Sequence, residues 1–212
     1  MLFRVSTYEI ETISMGNSSS NENTISEDVL GEYVELTYLS KNEVCQIYKL
    51  LDNFEPGILK RNLHYRFPLE QIDKILPQIR YNPFRNAIYR VFSSKQDEHL
   101  SFEDILDLCS AFSANCPPGV RATWAFAIFD FDSNNQVSLN DLIEVVQRLA
   151  GSDEHGQVRI DRQRAENVAR MVGVHSCCAF LDKGRNREAI NPFAETCFLL
   201  QQISDYTRNG PL

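Results

Sequence analysis

The sequence predicts an all-α chain of helix–loop–helix units, and three observations predict it. Around residues 130–141, apolar side chains recur at i, i+3, i+4, i+7: Ala122, Ala125, Phe126 and Phe129 before, Leu142, Val145, Val146 and Leu149 after. Around residues 93–104 a similar pair of stripes stands, with Ile88, Tyr89 and Phe92 before and Ile105, Leu108, Cys109 and Phe112 after. Between the first pair, Asp130-Phe131-Asp132-Ser133-Asn134-Asn135-Gln136-Val137-Ser138-Leu139-Asn140-Asp141 carries oxygen-bearing side chains at loop positions 1, 3, 5, 9 and 12.

That ladder is the spacing of a calcium-binding EF-hand, because a twelve-residue loop wraps a hard cation only if alternate residues point inward. The candidate ligands are Asp130, Asp132, Asn134, Ser138 and Asp141 through their side chains, and Gln136 through its backbone carbonyl. The alternative is a polar turn between two core helices. Val137, at position 8, is placed for a short β-bridge to a neighbouring loop. Position 6 is Asn135 where glycine is usual; asparagine tolerates the required positive φ at small cost. Asn134 leaves three carboxylates, and Asp141 is a shorter arm than glutamate at position 12. One weak Ca²⁺ or Mg²⁺ site follows, with affinity on the order of 10⁻⁵ to 10⁻³ M.

The second unit keeps its shape and loses this chemistry. With Leu100 at position 8, Ser93 falls at position 1, Lys95 at 3, Asp97 at 5 and Asp104 at 12. The Lys95 ammonium is expected to occupy the cation's place.

Upstream, residues 1–26 read as a polar, Ser- and Asn-rich flexible arm. Within it, Met15-Gly16-Asn17-Ser18-Ser19-Ser20 fits N-myristoylation at Gly16, provided that translation starts at Met15; a chance match in a Ser-rich arm is the alternative. Ser40-Lys41-Asn42-Glu43 is a capping box with a Leu39–Val44 staple, opening a helix with Val44, Ile47, Tyr48 and Leu51 on its buried face. Glu55-Pro56-Gly57 ends it. Residues 61–77 suit a short helix entered at Pro68, with no ligand-spaced loop. Cys116-Pro117-Pro118-Gly119 is a break. The expected organisation is a flexible arm (1–26), a degenerate EF-hand pair (27–116), a metal-binding third hand with a following helix (117–171), and a divergent tail (172–212).

Composition narrows the function class. With 212 residues, 43% hydrophobic and net charge −8, the chain can bury a core and lacks the basic balance that nucleic acid requires. No apolar run approaches the roughly 20 residues of a membrane span. Glu9 and Glu11 argue against a secretory signal at the start. Six irregularly spaced cysteines suit a reducing compartment, with Cys45 and Cys109 acting as small apolar helix residues. A cytoplasmic location is expected, at the inner face of the plasma membrane if Gly16 is acylated.

The run Leu30-Gly31-Glu32-Tyr33-Val34-Glu35-Leu36-Thr37-Tyr38-Leu39-Ser40 opens a series of motifs. Asn82-Pro83-Phe84-Arg85, Arg90-Val91-Phe92-Ser93, Leu100-Ser101-Phe102-Glu103-Asp104 and Ala125-Phe126-Ala127-Ile128-Phe129-Asp130-Phe131-Asp132 follow in order. On these the chain resembles the calcium- and integrin-binding protein family over residues 27–171, and Met15-Gly16-Asn17 is similar to that family's myristoylated start. The resemblance implies a calmodulin-like arrangement of four hands, the first two degenerate and the last two metal-binding. It implies a non-catalytic regulatory adaptor that holds an amphipathic helix from a membrane protein's cytoplasmic tail, of the integrin α or channel-subunit type. It places the metal on Asp130, Asp132, Asn134, Gln136, Ser138 and Asp141, with aspartate at position 12 typical of the third hand.

The chain departs from the family after residue 171. A fourth loop would begin near His175, where His175-Ser176-Cys177-Cys178 offers no ligand ladder; from Asp182, position 3 is Gly184, 6 is Arg187 and 12 is Phe193. A fourth metal site is therefore not expected, and Phe193, Phe198, Leu199, Leu200 and Ile203 are candidates to cover the Leu142–Leu149 stripe instead. Two rival readings follow. One is a metal-insensitive interaction protein with a vestigial third hand. The other is a zinc or thiol site from His175, Cys177, Cys178 and Cys197, disfavoured because adjacent cysteines rarely share a tetrahedral ion and no C-x-x-C pair exists.

Overall fold

The computed structural model describes residues 25–152 and 157–171. Gly16, His175, Cys177, Cys178, Cys197 and the region of a fourth hand lie outside the described residues. What is described is mostly helical, as the paired stripes predict, and it divides into two compact units between Cys116 and Pro117.

The first unit opens with α1 (Glu27–Leu36) and α2 (Lys41–Asp52). The box at the start of α2 is formed: the Ser40 N–H donates to Glu43 Oε2 at 2.7 Å, and the Glu43 N–H donates to Ser40 Oγ at 3.4 Å. Leu39 and Val44 are both buried, as a staple requires, and Val44, Ile47, Tyr48 and Leu51 form the buried face. Gly57 stands at φ +76 and donates its N–H to Asp52 Oδ1 at 2.8 Å, so it turns the chain where a Cβ would be strained. Then come α3 (Ile58–Arg61), strand β1 (Arg66–Pro68), α4 (Leu69–Ile75, entered at Pro68) and α5 (Pro77–Arg80). The second helix–loop–helix comprises α6 (Arg85–Phe92), β2 (His99–Ser101) and α7 (Phe102–Phe112).

Strands β1 and β2 pair antiparallel in the register Arg66↔Ser101, Phe67↔Leu100 and Pro68↔His99. Leu100 is loop position 8, so this is the expected bridge between neighbouring hands. Phe67 and Leu100 are both fully buried. At the start of α7, Phe102 meets Tyr33 and Tyr48 edge-on at 5.4 and 5.8 Å, joining α1 and α2 to the second hand. The Tyr38 N–H donates to Ser110 Oγ at 2.9 Å and Ser113 Oγ donates to the Tyr38 carbonyl at 3.2 Å, tying the α1–α2 turn to α7. Arg85 grips Asp73 with two bonds, of 2.9 and 2.7 Å, and Tyr89 donates to the same carboxylate at 2.9 Å. The Arg85 hydrogen bonds hold the Asp73 carboxyl below the usual carboxylate value.

The second unit contains α8 (Pro118–Phe129), the loop 130–141 and α9 (Leu139–Ala150), which ends at Gly151 with φ +72. Ser152 and Val158 form an isolated antiparallel bridge, and α10 covers residues 162–171. Asp161 caps α10 through the Arg164 N–H at 2.9 Å, and Ala165 and Ala169 are its buried residues. The buried faces differ in part from the stripes. On α8, Ile128 is buried with Ala122, Ala125 and Phe129, while Phe126 is half-buried. Residues 124–129 are apolar throughout, so periodicity alone underdetermines the inward face. On α9, Ile143 joins Val145 and Val146, while Leu142 and Leu149 are half-buried. Val137 belongs to no bridge among the described residues.

Two outcomes follow from this packing. Phe67→Ala removes a fully buried ring from the strand pair and is expected to lower unfolding free energy by about 3–5 kcal/mol, measured by urea denaturation. Burial pushes the Cys109 thiol up to about 12, so Cys109 should resist alkylation in the native protein and react only after unfolding, as read by peptide mass spectrometry.

Candidate metal centre

The loop 130–141 is built by its own backbone. Ser133 and Asn135, at positions 4 and 6, take φ of +57 and +62. The second agrees with the turn expected of Asn135; the first falls on a residue with no local signal for it. Those two turns direct successive N–H groups inward. Asp130 Oδ1 accepts from the Asn134 N–H at 3.0 Å, and Oδ2 accepts from the Asn135 N–H at 2.8 Å. Asp132 accepts from the Asn134 N–H at 3.2 Å and from its side-chain amide at 2.8 Å, while Asn134 Oδ1 accepts from the Gln136 N–H at 2.8 Å. Asp130 and Asp141 are each 5% exposed. Asp132 is exposed.

The far end of the loop is also the cap of α9. Ser138 Oγ accepts from the Asp141 N–H at 3.4 Å, and Asp141 Oδ2 accepts from the Ser138 N–H at 2.8 Å and from its hydroxyl at 2.6 Å. Asp141 Oδ1 accepts from the Phe131 N–H at 3.2 Å, which brings the position-12 carboxylate to the residue beside Asp130. Arg148 stacks over the Phe131 ring at 4.5 Å and bonds Glu144 one turn back at 2.6 Å. Arg162 of α10 donates to Asn140 Oδ1 at 2.8 Å.

The six predicted residues therefore share one loop, in two hydrogen-bonded groups: Asp130, Asp132, Asn134 and Gln136 at one end, Ser138 and Asp141 at the other. Among the described residues no three His, Cys, Asp or Glu side chains are gathered as a group that could hold a metal ion. The donor set still fits a hard divalent cation: it offers only carboxylate, amide and hydroxyl oxygens, and two of its carboxylates, Asp130 and Asp141, are buried. Among the described residues no salt bridge neutralises Asp132 or Asp141.

The second loop differs from expectation in one residue. Lys95 lies exposed and is not the group at the centre. Arg66, from β1, is. Its Nε and Nη2 donate to Asp97 Oδ2 and Oδ1 at 3.1 and 2.8 Å, and Nη1 donates to Asp104 Oδ2 and Ser94 Oγ at 3.0 Å each. Nη2 also reaches Ser93 Oγ at 3.2 Å and the His99 carbonyl at 2.7 Å. Lysine loses because its stem starts on an exposed turn, whereas Arg66 enters along a strand paired with the loop, carrying a rigid fork of five N–H donors. The clue available in the sequence was a pair of carboxylates, Asp97 and Asp104, surviving at ligand positions of a loop read as cation-free. Hydrogen bonding from Arg66 draws Asp97 down from 3.8 to about 2. Its contribution to stability is accordingly complete above the ordinary value of 3.8 and is lost as pH falls toward about 2.

No family model matches the chain. It is 30% identical over 145 residues to calcium and integrin-binding family member 2 of Drosophila melanogaster, covering 64% of this chain and 76% of that protein. The human member 2 is 29% identical over 138 residues, covering 63% and 73%, and the human member 3 is 27% identical over 139 residues, covering 64% and 72%. A 30% match spanning three-quarters of a relative, on a chain whose motifs and helix–loop–helix pairs fall in the same order as the resemblance required, places it: the chain belongs to the calcium and integrin-binding family.

Proposed function

We propose that the chain is a non-catalytic, calcium-binding regulatory adaptor whose loop 130–141 takes one Ca²⁺ or Mg²⁺. Asp130, Asp132, Asn134, Ser138 and Asp141 would hold the ion through side-chain oxygens, and Gln136 through its carbonyl. A bound cation supplies neutralisation of the loop's carboxylates and a link between α8 and α9. The observation that carries this reading is the likeness of the two loops. Positions 4 and 6 are left-handed in both: Gln96 at +51 and Glu98 at +59, Ser133 at +57 and Asn135 at +62. Both also share the position 4→1 backbone bond, the 7→5 side-chain bond and the 9→12 cap. One of these loops closes round a positive charge; the other presents three carboxylates.

The name of the family, calcium and integrin-binding, supports an integrin-type partner. The reading here is a helix from the cytoplasmic tail of a membrane protein, of the integrin α or channel-subunit kind. A cytoplasmic site of action goes with it, at the inner face of the plasma membrane where chains start at Met15 and carry a myristoyl group on Gly16. One observation favours the metal-insensitive alternative: Asp141 is already committed to the cap of α9.

Calorimetric titration of the full chain separates the two readings. Saturable binding of one ion is expected, with affinity on the order of 10⁻⁵ to 10⁻³ M, weakened at least tenfold by Asp130→Ala; no saturable Ca²⁺ or Mg²⁺ binding below millimolar would reject the sensor. Amphipathic cytoplasmic-tail peptides should be retained more strongly with divalent ion than with chelator, and equal retention would leave the metal-insensitive adaptor. Intact mass spectrometry of protein from native cells should show an acylated species beginning at Gly16.

A further inference from the structure

Loop 93–104 shares with loop 130–141 the left-handed positions 4 and 6, the 4→1 and 7→5 bonds and the 9→12 cap, and it has a cationic side chain at its centre. Of the six ligand positions used by loop 130–141, four are in contact with Arg66: Ser93 at position 1, Asp97 at 5, the His99 carbonyl at 7 and Asp104 at 12. The Arg66 side chain is only 13% exposed, and that of Asp104 beside it 8%. It arrives from 27 to 38 residues upstream, carried by the β1–β2 pair whose first rung, Arg66↔Ser101, sets it over the loop.

We propose that Arg66 is the resident cation of the second hand, supplied by the chain itself in place of a metal ion. Two carboxylates and two neutral oxygens that would surround an ion surround the guanidinium instead, and the planar fork meets Asp97 with two bonds as an ion would meet a bidentate ligand. An ion can leave; a side chain cannot. The second hand is therefore held in its cation-loaded arrangement at all divalent-ion concentrations.

The proposal predicts a masked site. In the full chain carrying Asp130→Ala, only the third loop's Ca²⁺ binding, weakened at least tenfold, should remain. Adding Arg66→Gln and Lys95→Asp, which vacates the centre and restores an acid at position 3, should create one saturable Ca²⁺ site, with thermal stability rising by several degrees on adding the ion. A folded triple variant, by circular dichroism, that binds no more Ca²⁺ than the Asp130→Ala chain would overturn the proposal. Hydrogen exchange on the unaltered chain tests it independently of whether that variant folds. Amide protection across residues 93–104 should be the same in chelator and in millimolar Ca²⁺; a tenfold or greater gain in protection there on adding Ca²⁺ would equally overturn it.

Discussion

Carboxylates gathered at the mouth of a helix need a positive charge or a set of N–H dipoles beside them, because burial removes the water that would solvate them. Both described loops are shaped by this requirement. In loop 93–104 it is met by a guanidinium from a neighbouring strand. In loop 130–141 the Asp130 carboxylate accepts two N–H groups, and Asp141 accepts from Phe131 and Ser138. The position-12 aspartates carry a double load, since each also completes the capping box of the helix that follows. Helix start and loop closure are thus a single arrangement of one side chain.

The Arg66 network owes its place to apolar packing more than to charge. A buried ion pair returns little net free energy against its desolvation, although breaking one partner away is costly. The ring of Phe67 against Leu100 supplies the burial, and it also sets the register. A slip of one residue would turn Phe67 out of the core and withdraw Arg66 from the loop at the same time. Hydrophobic and electrostatic demands therefore select the same pairing, which is what gives a short two-strand contact its specificity.

Much of this was legible in the sequence because it is local. The box at Ser40, the break at Pro117 and the positive φ of Asn135 are each written within a few positions of one another. The same short pattern, serine followed three residues on by an acid, also stands at Ser101–Asp104 and Ser138–Asp141, where the ligand reading concealed the capping role. Arg66 was not legible. Its function depends on a strand register between segments separated by about thirty residues, and Lys95 offered a nearer charge. The inward face of α8 was ambiguous for a different reason: a helix apolar nearly all round gives periodicity nothing to discriminate.

The way each loop is closed also governs how the molecule comes together as it folds. The backbone N–H bonds that loop 130–141 gives to Asp130, Asp132 and Asp141 span at most ten residues, so this part of the loop can organise as soon as that stretch of chain is formed. Loop 93–104 cannot, because its charge balance awaits a segment 27 to 38 residues away. Strand β1 and loop 93–104 are therefore bound to one cooperative transition, and a chain interrupted between Arg66 and Ser93 would leave the loop unfinished.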